Sequence, residues 1–335
     1  MSVVRGWKPG VILKSVIRTR YGPPDVIEVK DVEKPAPADN QVLVKVHASS
    51  LNKADLYDLH PPFAIRLVMG GGILRPRDLA LGRDLSGRIE SIGKSVTRFK
   101  PGDEVFGVGP GAISEYAVAR EDRLALKPPS VSFEACAATP VAGVTALQGL
   151  RKGLIKAGQK VLVDGASGGV GTFTVQVAKS FGTVVTAVCS AQNVDNARAL
   201  GADRVIDYAK EDFTKSGQTY DLITGVNGFH SVLAIRRALA PGGAFILLGS
   251  HRALTGLLQA ALLGRLASGS GKRIGFMGIA TIVSEDLATL GELMEAGKVK
   301  PFIDRQYRLA EAAEAFRYLG GGHARGKIIV TMEPG

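Results

Sequence analysis

Two patterns of apolar and polar residues divide the chain. Up to about residue 130, short segments alternate between apolar and polar residues or run apolar, and Pro, Gly, Asn and Asp separate them. This pattern is typical of β-strands joined by turns. After a first strand that begins around Val11–Ile17, the predicted strands are 25–29, 41–46, 87–93, 104–108 and 114–119. The first part of the chain is therefore predicted to be a β-domain folded as a barrel.

From Phe133 onward the pattern changes to alternating helices and strands. Residues 134–150 have helical spacing with a break near Pro140. The predicted strands that follow are 161–163, 184–188, 204–206, 221–224, 244–248 and 274–279, and the helices between the first five are 170–181, 193–200, 210–216 and 230–239. Alternation at this spacing predicts parallel strands with right-handed crossovers, which form a doubly wound, six-stranded sheet.

The tail returns to the pattern of the first part. Residues 303–307 and 326–331 are predicted strands, and 310–319 is a predicted helix between them. We expect the tail to complete the first domain. The predicted domains are therefore 1–130 with 300–335, and an inserted α/β domain over 131–299.

A glycine-bearing turn follows the first strand of the α/β part. The strand 160–164 leads into Gly165–Gly171, and residues 172–181 carry apolar side chains at helical spacing. A strand that opens directly into a helix leaves free backbone N–H groups at the positive end of the helix dipole, which suits a pyrophosphate. In the G-x-G-x-x-G pattern, Ala166 replaces the first glycine, while Gly168 and Gly171 fit. Glycine-rich turns without ligands are common, but the six alternating strands favour a dinucleotide site.

Composition and charge narrow the class of protein. The 335 residues suffice for two domains, and the 45% hydrophobic and 22% charged residues are typical of a soluble globular protein. Two cysteines, Cys136 and Cys189, exclude a disulfide scaffold and a cysteine-rich zinc lobe. Basic residues give a net charge of +11 but are scattered, which argues against a nucleic-acid partner. An anionic ligand, a weak peripheral membrane contact and a merely basic surface all remain open.

No segment predicts secretion or a membrane span. The N-terminus lacks the apolar core of a secretory signal, and the apolar stretch Leu254–Leu266 is shorter than the ~20 residues that a span requires. That stretch is predicted to be a surface or interface helix of the α/β domain, in preference to a membrane contact. The expected location is cytoplasmic or loosely membrane-associated.

Taken together, several motifs resemble the medium-chain dehydrogenase/reductase superfamily, in particular its zinc-independent quinone oxidoreductase and enoyl reductase branch. The matching stretches are Ser50–Asp55, Gly82–Gly87, Phe99–Val105, Pro140–Leu147, Gly165–Gly171, Ala199–Asp203 and Gly326–Val330. The resemblance implies a GroES-like β-barrel domain, a Rossmann domain and a homodimer.

The resemblance also predicts a metal-free site. Metal-dependent alcohol dehydrogenases of this superfamily have a cysteine where this chain has Asn52, and a His-Glu pair where it has Arg83-Asp84. Their third ligand lies near Pro140 or Val141. Catalytic zinc needs three converging side chains, and all three positions here lack their usual ligand.

NADPH is the expected cofactor, in preference to NADH. The end of the second Rossmann strand, Val188–Asn193, carries no Asp or Glu to bind the ribose hydroxyls of NAD. Ser190 and Asn193 are candidates for the 2′-phosphate, and Tyr208 for the adenosine. The complete predicted cofactor set is Thr145, Ser167, Gly168, Gly169, Val170, Ser190, Asn193, Tyr208, Val226, Asn227, Gly249, Ser250, Phe276, Met277, Gly278 and Lys327.

The leading hypothesis is hydride transfer from NADPH to a quinone or to an α,β-unsaturated carbonyl. Asn52 and Tyr57 are the predicted catalytic residues, Asp55 and Asp84 are expected to hold their loops by hydrogen bonds, and residues 60–80 to set substrate specificity. Two alternatives stay open. One is a non-catalytic NADP-binding protein, acting as a redox sensor or a membrane-associated scaffold. The other is a metal-dependent alcohol dehydrogenase.

Overall fold

The chain divides into two structural units. The computed structural model describes residues 7–61, 75–76, 79–226, 230–249 and 271–332. The first unit comprises Met1–Val141, Ile282–Glu295 and Pro301–Gly335, and the second Ala142–Thr281 and Ala296–Lys300. The domain limits at 130 and 300 stay a prediction.

The first unit contains mainly antiparallel strands. They are β1 (Trp7–Arg18), β2 (Ile27–Pro35), β3 (Gln41–Leu51), β4 (Asp84–Ile92), β5 (Glu104–Val108), β6 (Tyr116–Arg120), β7 (Leu124–Leu126), β14 (Ile303–Arg308) and β15 (Lys327–Thr331). The strand β1 pairs with β2, and the other seven form a sheet of order β14-β15-β3-β4-β5-β7, in which β6 also pairs with β3. The strand predicted at 25–29 begins instead as a 3-10 turn, Pro24–Val26, because Pro23 and Pro24 fix the backbone there.

Within the described residues, four helices lie wholly in the first unit. They are α1 (Lys53–Leu59), α2 (Phe133–Ala137), α7 (Ser284–Glu295) and α8 (Ala312–Gly320). The break predicted near Pro140 is confirmed, since α2 ends before it and α3 (Pro140–Lys152) begins at it. Buried apolar side chains such as Leu85, Leu124 and Phe316, each fully inaccessible, fill the core of this unit.

The second unit is built on a parallel sheet. Its strands are β8 (Lys160–Asp164), β9 (Val184–Cys189), β10 (Arg204–Asp207), β11 (Tyr220–Gly225), β12 (Leu239–Leu247) and β13 (Arg273–Phe276). Their order is β10-β9-β8-β11-β12-β13, and every neighbouring pair is parallel. The predicted six-stranded parallel sheet is confirmed. Its strands could be predicted because both faces are buried, so that each strand is a short apolar run.

The helices of this sheet differ from the prediction at one place. The helices α4 (Gly169–Ser180), α5 (Val194–Ala199) and α6 (Val232–Ala238) are present, but the helix predicted at 210–216 is only a 3-10 turn, Phe213–Lys215. Asp212 explains the difference, since its carboxylate accepts hydrogen bonds from both the backbone N–H and the hydroxyl of Thr214. Such local side-chain bonds favour a turn over a helix.

The limits of two strands also differ from the prediction. The strand predicted at 274–279 ends at Phe276, shortly before Gly278 with its positive φ of 87°. The strand predicted at 244–248 begins earlier, at Leu239. Among the helices that the structure describes, none combines the length and apolar character needed to cross a bilayer. The surface helix predicted at Leu254–Leu266 lies outside the described residues.

Candidate functional site

The glycine turn lies at the switch point of the parallel sheet, where the order of the strands reverses. From β8 the chain passes to β9 and β10 on one side, and later to β11, β12 and β13 on the other. The first connection therefore leaves β8 in one direction while β11 lies against its opposite edge. In open parallel sheets, ligands bind beyond the carboxyl ends of the strands at such a point. The turn between β8 and α4 is thus in the position of a ligand site.

The geometry of the turn fits a pyrophosphate group. Gly165 has a φ of 94°, in the left-handed region. A Cβ on Gly171 would come 2.1 Å from the carbonyl oxygen of Gly165, whereas a Cβ on Gly168 would meet nothing within 4 Å. Residues 167–170 are partly exposed. The first N–H groups of α4 have no acceptor within the helix, and together with the helix dipole they make a site for an anion beside open space.

The residues predicted to bind the adenosine end lie beyond β9 and β10. The Asn193 amide donates to the hydroxyl of Ser190 at 2.9 Å, and the backbone N–H of Tyr208 donates to the carbonyl of Cys189 at 3.1 Å. Tyr208 is 60% exposed, and Asn193 is buried. Within the described structure, the Asn193 side-chain oxygen has no hydrogen-bond partner. The Cys189 side chain is buried, and burial raises the pKa of its thiol to about 11, as suits a packed strand end.

The remaining predicted cofactor residues of this unit follow β11, β12 and β13. The backbone N–H of Val226 donates to the Asp164 carbonyl at 2.9 Å, and that of Met277 donates to Leu247 at 2.9 Å. Gly249 directly follows Leu248, and Gly278 has open space around its α-carbon. These bonds bring Val226, Gly249, Phe276, Met277 and Gly278 to the same edge of the sheet as the glycine turn. Asn227 and Ser250 lie outside the described residues.

Thr145, the predicted cofactor residue on α3, is 7% exposed. The Gln148 side chain donates to the Thr281 carbonyl at 2.7 Å and accepts from the Thr281 N–H at 3.2 Å. A Cβ on Gly149 would come 2.1 Å from Leu248. The helix therefore packs closely against the segments that follow β12 and β13.

His230 is a functional candidate that the sequence analysis did not single out. Its Nε2 lies 3.3 Å from Asp212 Oδ1, and its Nδ1 lies 3.6 Å from Asp164 Oδ2, which is an ion-pair distance. The ring contacts Phe213 edge-on. The neighbouring Asp164 raises the pKa of His230 above its ordinary value, although partial burial opposes this. An imidazolium here would offset the Asp164 charge next to the anion site, and no local sequence motif marks this contact.

A second group of polar residues lies in the first unit, at the end of β3. The antiparallel register pairs Ser50 with Asp84 on β4, and Leu51 with Ile328 on β15. The beginnings of both neighbouring strands therefore lie beside the end of β3. Asn52, the next residue, is placed between Asp84 and Lys327 in this way.

The carboxylate of Asp84 is the centre of this group. It is fully buried. Its Oδ2 accepts hydrogen bonds from Ser50 Oγ at 2.8 Å and Asn52 Nδ2 at 2.9 Å, and its Oδ1 accepts from the Val141 backbone N–H at 3.1 Å. The Lys327 ammonium completes the group. It donates to Asn52 Oδ1 at 2.6 Å and lies 3.4 Å from Asp84 Oδ2.

Lys327 was predicted to contact the cofactor, and the structure places its amine on Asn52 and Asp84. The residue is 2% exposed. Burial lowers the pKa of its ammonium below the ordinary value, while the charge of Asp84 acts in the opposite direction. No local pattern in the sequence predicts this contact, because 275 positions separate Lys327 from Asn52.

Asp55 holds the backbone at Asn52. Its Oδ2 accepts the Asn52 backbone N–H at 2.7 Å, and its Oδ1 accepts from Arg83 Nη1 at 2.9 Å. Arg83 also pairs with Asp58 at 2.7 Å. Burial raises the pKa of Asp55 to about 6, although the charge of Arg83 opposes the shift. The expected hydrogen bonds of Asp55 and Asp84 are present, and Tyr57 lies on the same helix, α1, with 45% exposure.

The described residues offer no group of three or more His, Cys, Asp or Glu side chains that could hold a metal ion. Asn52, Arg83 and Asp84 occupy the first two of the three positions where the resemblance places zinc ligands. They supply an amide, a guanidinium paired with carboxylates, and a carboxylate facing an ammonium. His47 is stacked on Phe133 with ring centroids 4.2 Å apart. Of the predicted variable loop 60–80, only residues 60–61, 75–76 and 79–80 are described.

Comparisons with known proteins match nearly the whole chain. Residues 38–129 match the family described as the alcohol dehydrogenase GroES-like domain, and residues 200–330 match the one described as zinc-binding dehydrogenase. A mitochondrial NAD(P)H oxidoreductase of Mus musculus is 35% identical over 88% of this chain and 82% of its own length. The 2-methylene-furan-3-one reductase of Solanum lycopersicum is 32% identical over 96% of this chain and 80% of its own length.

A solved structure agrees with these relatives. The quinone oxidoreductase from Coxiella burnetii superposes with a TM-score of 0.83 at 29% identity, over 96% of this chain and 99% of its own. The chain belongs to the medium-chain dehydrogenase/reductase superfamily. It falls in the quinone oxidoreductase-like branch. The predicted fold class is confirmed: the first unit contains the GroES-like domain, and the second contains the parallel sheet of a Rossmann domain.

The first prediction concerns the glycine turn. Replacing Gly171 with Ala should lower the free energy of unfolding by about 2 kcal/mol or more, since the new methyl group would meet a backbone carbonyl that cannot move aside. The matched variant Gly168→Ala has open space and a φ of −83°, and should stay within about 0.5 kcal/mol of the wild type. Urea denaturation of both variants measures the difference, and equal stabilities would contradict the close approach at Gly171.

The second prediction concerns Asp55. Its pKa of about 6 lies above the ordinary 3.8, so its protonated form stabilises the fold below about pH 4, and this contribution is lost as the pH rises through 6. Relative to Asp55→Asn, the wild type should lose on the order of 3 kcal/mol of unfolding free energy between pH 4 and pH 7. Denaturant titrations of both proteins across this range test it. A difference that does not change with pH would show that Asp55 keeps an ordinary pKa.

Proposed function

We propose that this protein reduces quinones or α,β-unsaturated carbonyl compounds with NADPH and without a metal. The observation that carries the proposal is the glycine turn at the switch point of a six-stranded parallel sheet, in a chain of the quinone oxidoreductase-like branch. The names of the mouse, tomato and Coxiella relatives support a nicotinamide cofactor and small-molecule acceptors of this kind.

The residues at the carboxyl edge of the sheet would hold the cofactor. The N–H groups of Gly168, Gly169 and Val170 and the side chain of Ser167 would bind the pyrophosphate. Val226, Gly249 and the segment Phe276–Gly278 would line the groove toward the nicotinamide, with Thr145 on its α3 side. When bound, the cofactor supplies the hydride, and the protein contributes binding, orientation and electrostatics.

The end of β9 supports NADPH over NADH. An NAD site uses a carboxylate there to bind the ribose hydroxyls, and residues 188–193 contain none. The nearest acid on the next strand is Asp207, whose carboxylate already accepts the backbone N–H of Ala209 at 3.1 Å. Ser190 and Asn193 supply uncharged donors, which suit the 2′-phosphate of NADPH.

The polar group around Asn52 would act on the acceptor. Hydride addition to a quinone or to the β-carbon of an enone places negative charge on the carbonyl oxygen. A fixed N–H donor stabilises that charge in the transition state, and the Asn52 amide and the Tyr57 hydroxyl are the proposed donors. Solvent supplies the proton that completes the reduction. A homodimer, weak membrane contact and a cytoplasmic location remain proposals from family analogy and charge.

The third prediction tests the cofactor. NADPH should bind at least about ten times more tightly than NADH, a difference of about 1.4 kcal/mol, as followed by nicotinamide fluorescence. Replacing Ser190 with Asp should weaken NADPH binding by a further factor of about ten, because a carboxylate repels the 2′-phosphate, and NADH binding should change much less. Gln192 is an exposed neighbour of Ser190, and the variant Gln192→Ala serves as the control. Equal affinities for both cofactors would refute the preference.

The fourth prediction tests the reaction. With NADPH, the purified protein should reduce members of a panel of quinones and enones, and elemental analysis should find no stoichiometric zinc. Cofactor binding with no oxidation across the panel would favour the non-catalytic sensor or scaffold. Stoichiometric zinc with alcohol oxidation would favour the metal-dependent alcohol dehydrogenase.

A further inference from the structure

The Asn52 amide lies between two partners of opposite hydrogen-bonding character. The Lys327 ammonium can only donate, and it faces Oδ1 at 2.6 Å. The Asp84 carboxylate can only accept when ionised, and it faces Nδ2 at 2.9 Å. A reversed amide would place N–H against ammonium and oxygen against carboxylate. The chemistry of these two neighbours therefore fixes which end of the amide points where.

The two charges that hold the amide are themselves buried. Asp84 is fully inaccessible and Lys327 is 2% exposed. A buried charge is stable only when it is paired and hydrogen-bonded, and each of these compensates the other across 3.4 Å. Ser50 and the Val141 N–H satisfy the rest of the carboxylate. Such a group resists rotation of Asn52, because any turn of the amide breaks bonds to both charges.

One N–H of Asn52 is left for another partner. Its Nδ2 carries two hydrogens, and Asp84 is the only acceptor for this group among the hydrogen bonds of the described residues. The residue is 9% exposed. The amide thus offers a donor, while its oxygen is occupied by Lys327.

We propose that Lys327 is a positioning residue, which holds the Asn52 amide so that an N–H, and not the oxygen, meets the carbonyl oxygen of the acceptor. This rests on the proposed function, in which Asn52 contacts the acceptor. During reduction a hydride with its electron pair adds to the acceptor carbon, the π electrons move onto the carbonyl oxygen, and the nicotinamide is oxidised. A solvent proton then completes the product. An N–H stabilises the developing negative charge, whereas an amide oxygen in the same place would repel it.

The experiment combines Lys327→Met, Lys327→Arg, Asn52→Ala and the double variant Lys327→Met/Asn52→Ala. Steady-state kinetics use NADPH and the best acceptor of the panel. Lys327→Met should lower kcat by about 10- to 100-fold, as expected when a transition-state donor is misplaced. In the Asn52→Ala background the same change should cost less than about threefold, because the two residues act as one unit. Lys327→Arg keeps a donor and should retain most of the activity and the wild-type pH profile.

A second readout does not depend on activity. The side-chain amide signal of Asn52 in a ¹⁵N spectrum is assigned by its loss in Asn52→Ala. It should shift in Lys327→Met and change little in the control Lys298→Met, an exposed lysine. If Lys327→Met does not fold, the double variant Lys327→Met/Asp84→Asn, which removes both buried charges, takes the place of Lys327→Met in the kinetic and the spectroscopic measurement.

The outcomes separate the two proposals. Multiplicative losses in the double variant, or an unchanged Asn52 amide signal in Lys327→Met, would overturn the positioning role even in an active enzyme. A changed pH profile in Lys327→Arg would also overturn it, since it would make Lys327 a proton donor. If the wild type reduces no acceptor, the proposed function fails, and the amide signal alone then decides whether Lys327 orients Asn52.

Discussion

The buried carboxylate of Asp84 imposes the strongest constraint on the first unit. A fully inaccessible negative charge must find its compensation within the fold, because no water reaches it. Its partners come from three different parts of the chain: the end of β3, the beginning of β15 and the beginning of α3. A shift of register by one residue on either neighbouring strand would remove one of them and turn its side chains to the other face of the sheet. The charge therefore ties sheet register and site geometry together.

In the second unit, the main constraint is the tight turn between β8 and α4, and it involves backbone groups. Parallel strands end at one edge of the sheet, and at β8 the chain turns at once into α4. The close approach of Gly171 to the Gly165 carbonyl makes this turn tight, and the open space at Gly168 leaves room beside it. The proposed anion site consists mainly of N–H groups at the positive end of the helix dipole. The charged side chain that lies next to it, Asp164, is paired with His230.

These two kinds of site explain what could be predicted from the sequence. A site made of backbone depends on local pattern: apolar runs for β8 to β13, glycines for the turn and helical spacing after it. All of these are visible in the sequence, and the six predicted strands are present, although the limits of β12 and β13 differ from the prediction. The predictions that failed concern places where local side-chain hydrogen bonds or a glycine end or replace the regular element, and the periodicity of apolar residues does not reveal these. At residues 210–216 the Asp212 carboxylate favours a 3-10 turn over a helix, and β13 ends before Gly278.

A site made of converging side chains depends on long-range register, and it could be predicted only in part. The resemblance indicated Asn52, Asp55 and Asp84, because each lies within a short contiguous motif, Ser50–Asp55 or Gly82–Gly87. It also indicated Lys327 as a cofactor contact, which stays a prediction, but it did not indicate the contact of Lys327 with Asn52, since nothing in the sequence shows that Lys327 begins the strand next to β3. Ser50 and Arg83 belong to the family motifs, but no contact was predicted for either. His230 lies outside all of these motifs. Their contacts follow from pairing across the sheet and from packing, which a single sequence does not specify.

If Asn52 contacts the acceptor as proposed, the cation beside it determines which acceptors can be activated. A metal ion polarises a carbonyl directly through an open coordination position. The Lys327 ammonium is turned toward Asn52 and Asp84, so its effect would reach an acceptor only through an amide N–H, which is a weaker electrophile. Such a donor suffices where the product anion is already delocalised, as in a hydroquinone or an enolate. It gives much less help to a simple ketone, whose reduction places the full charge on one alkoxide oxygen. In the proposed site, Lys327 would therefore favour electron-poor, conjugated acceptors.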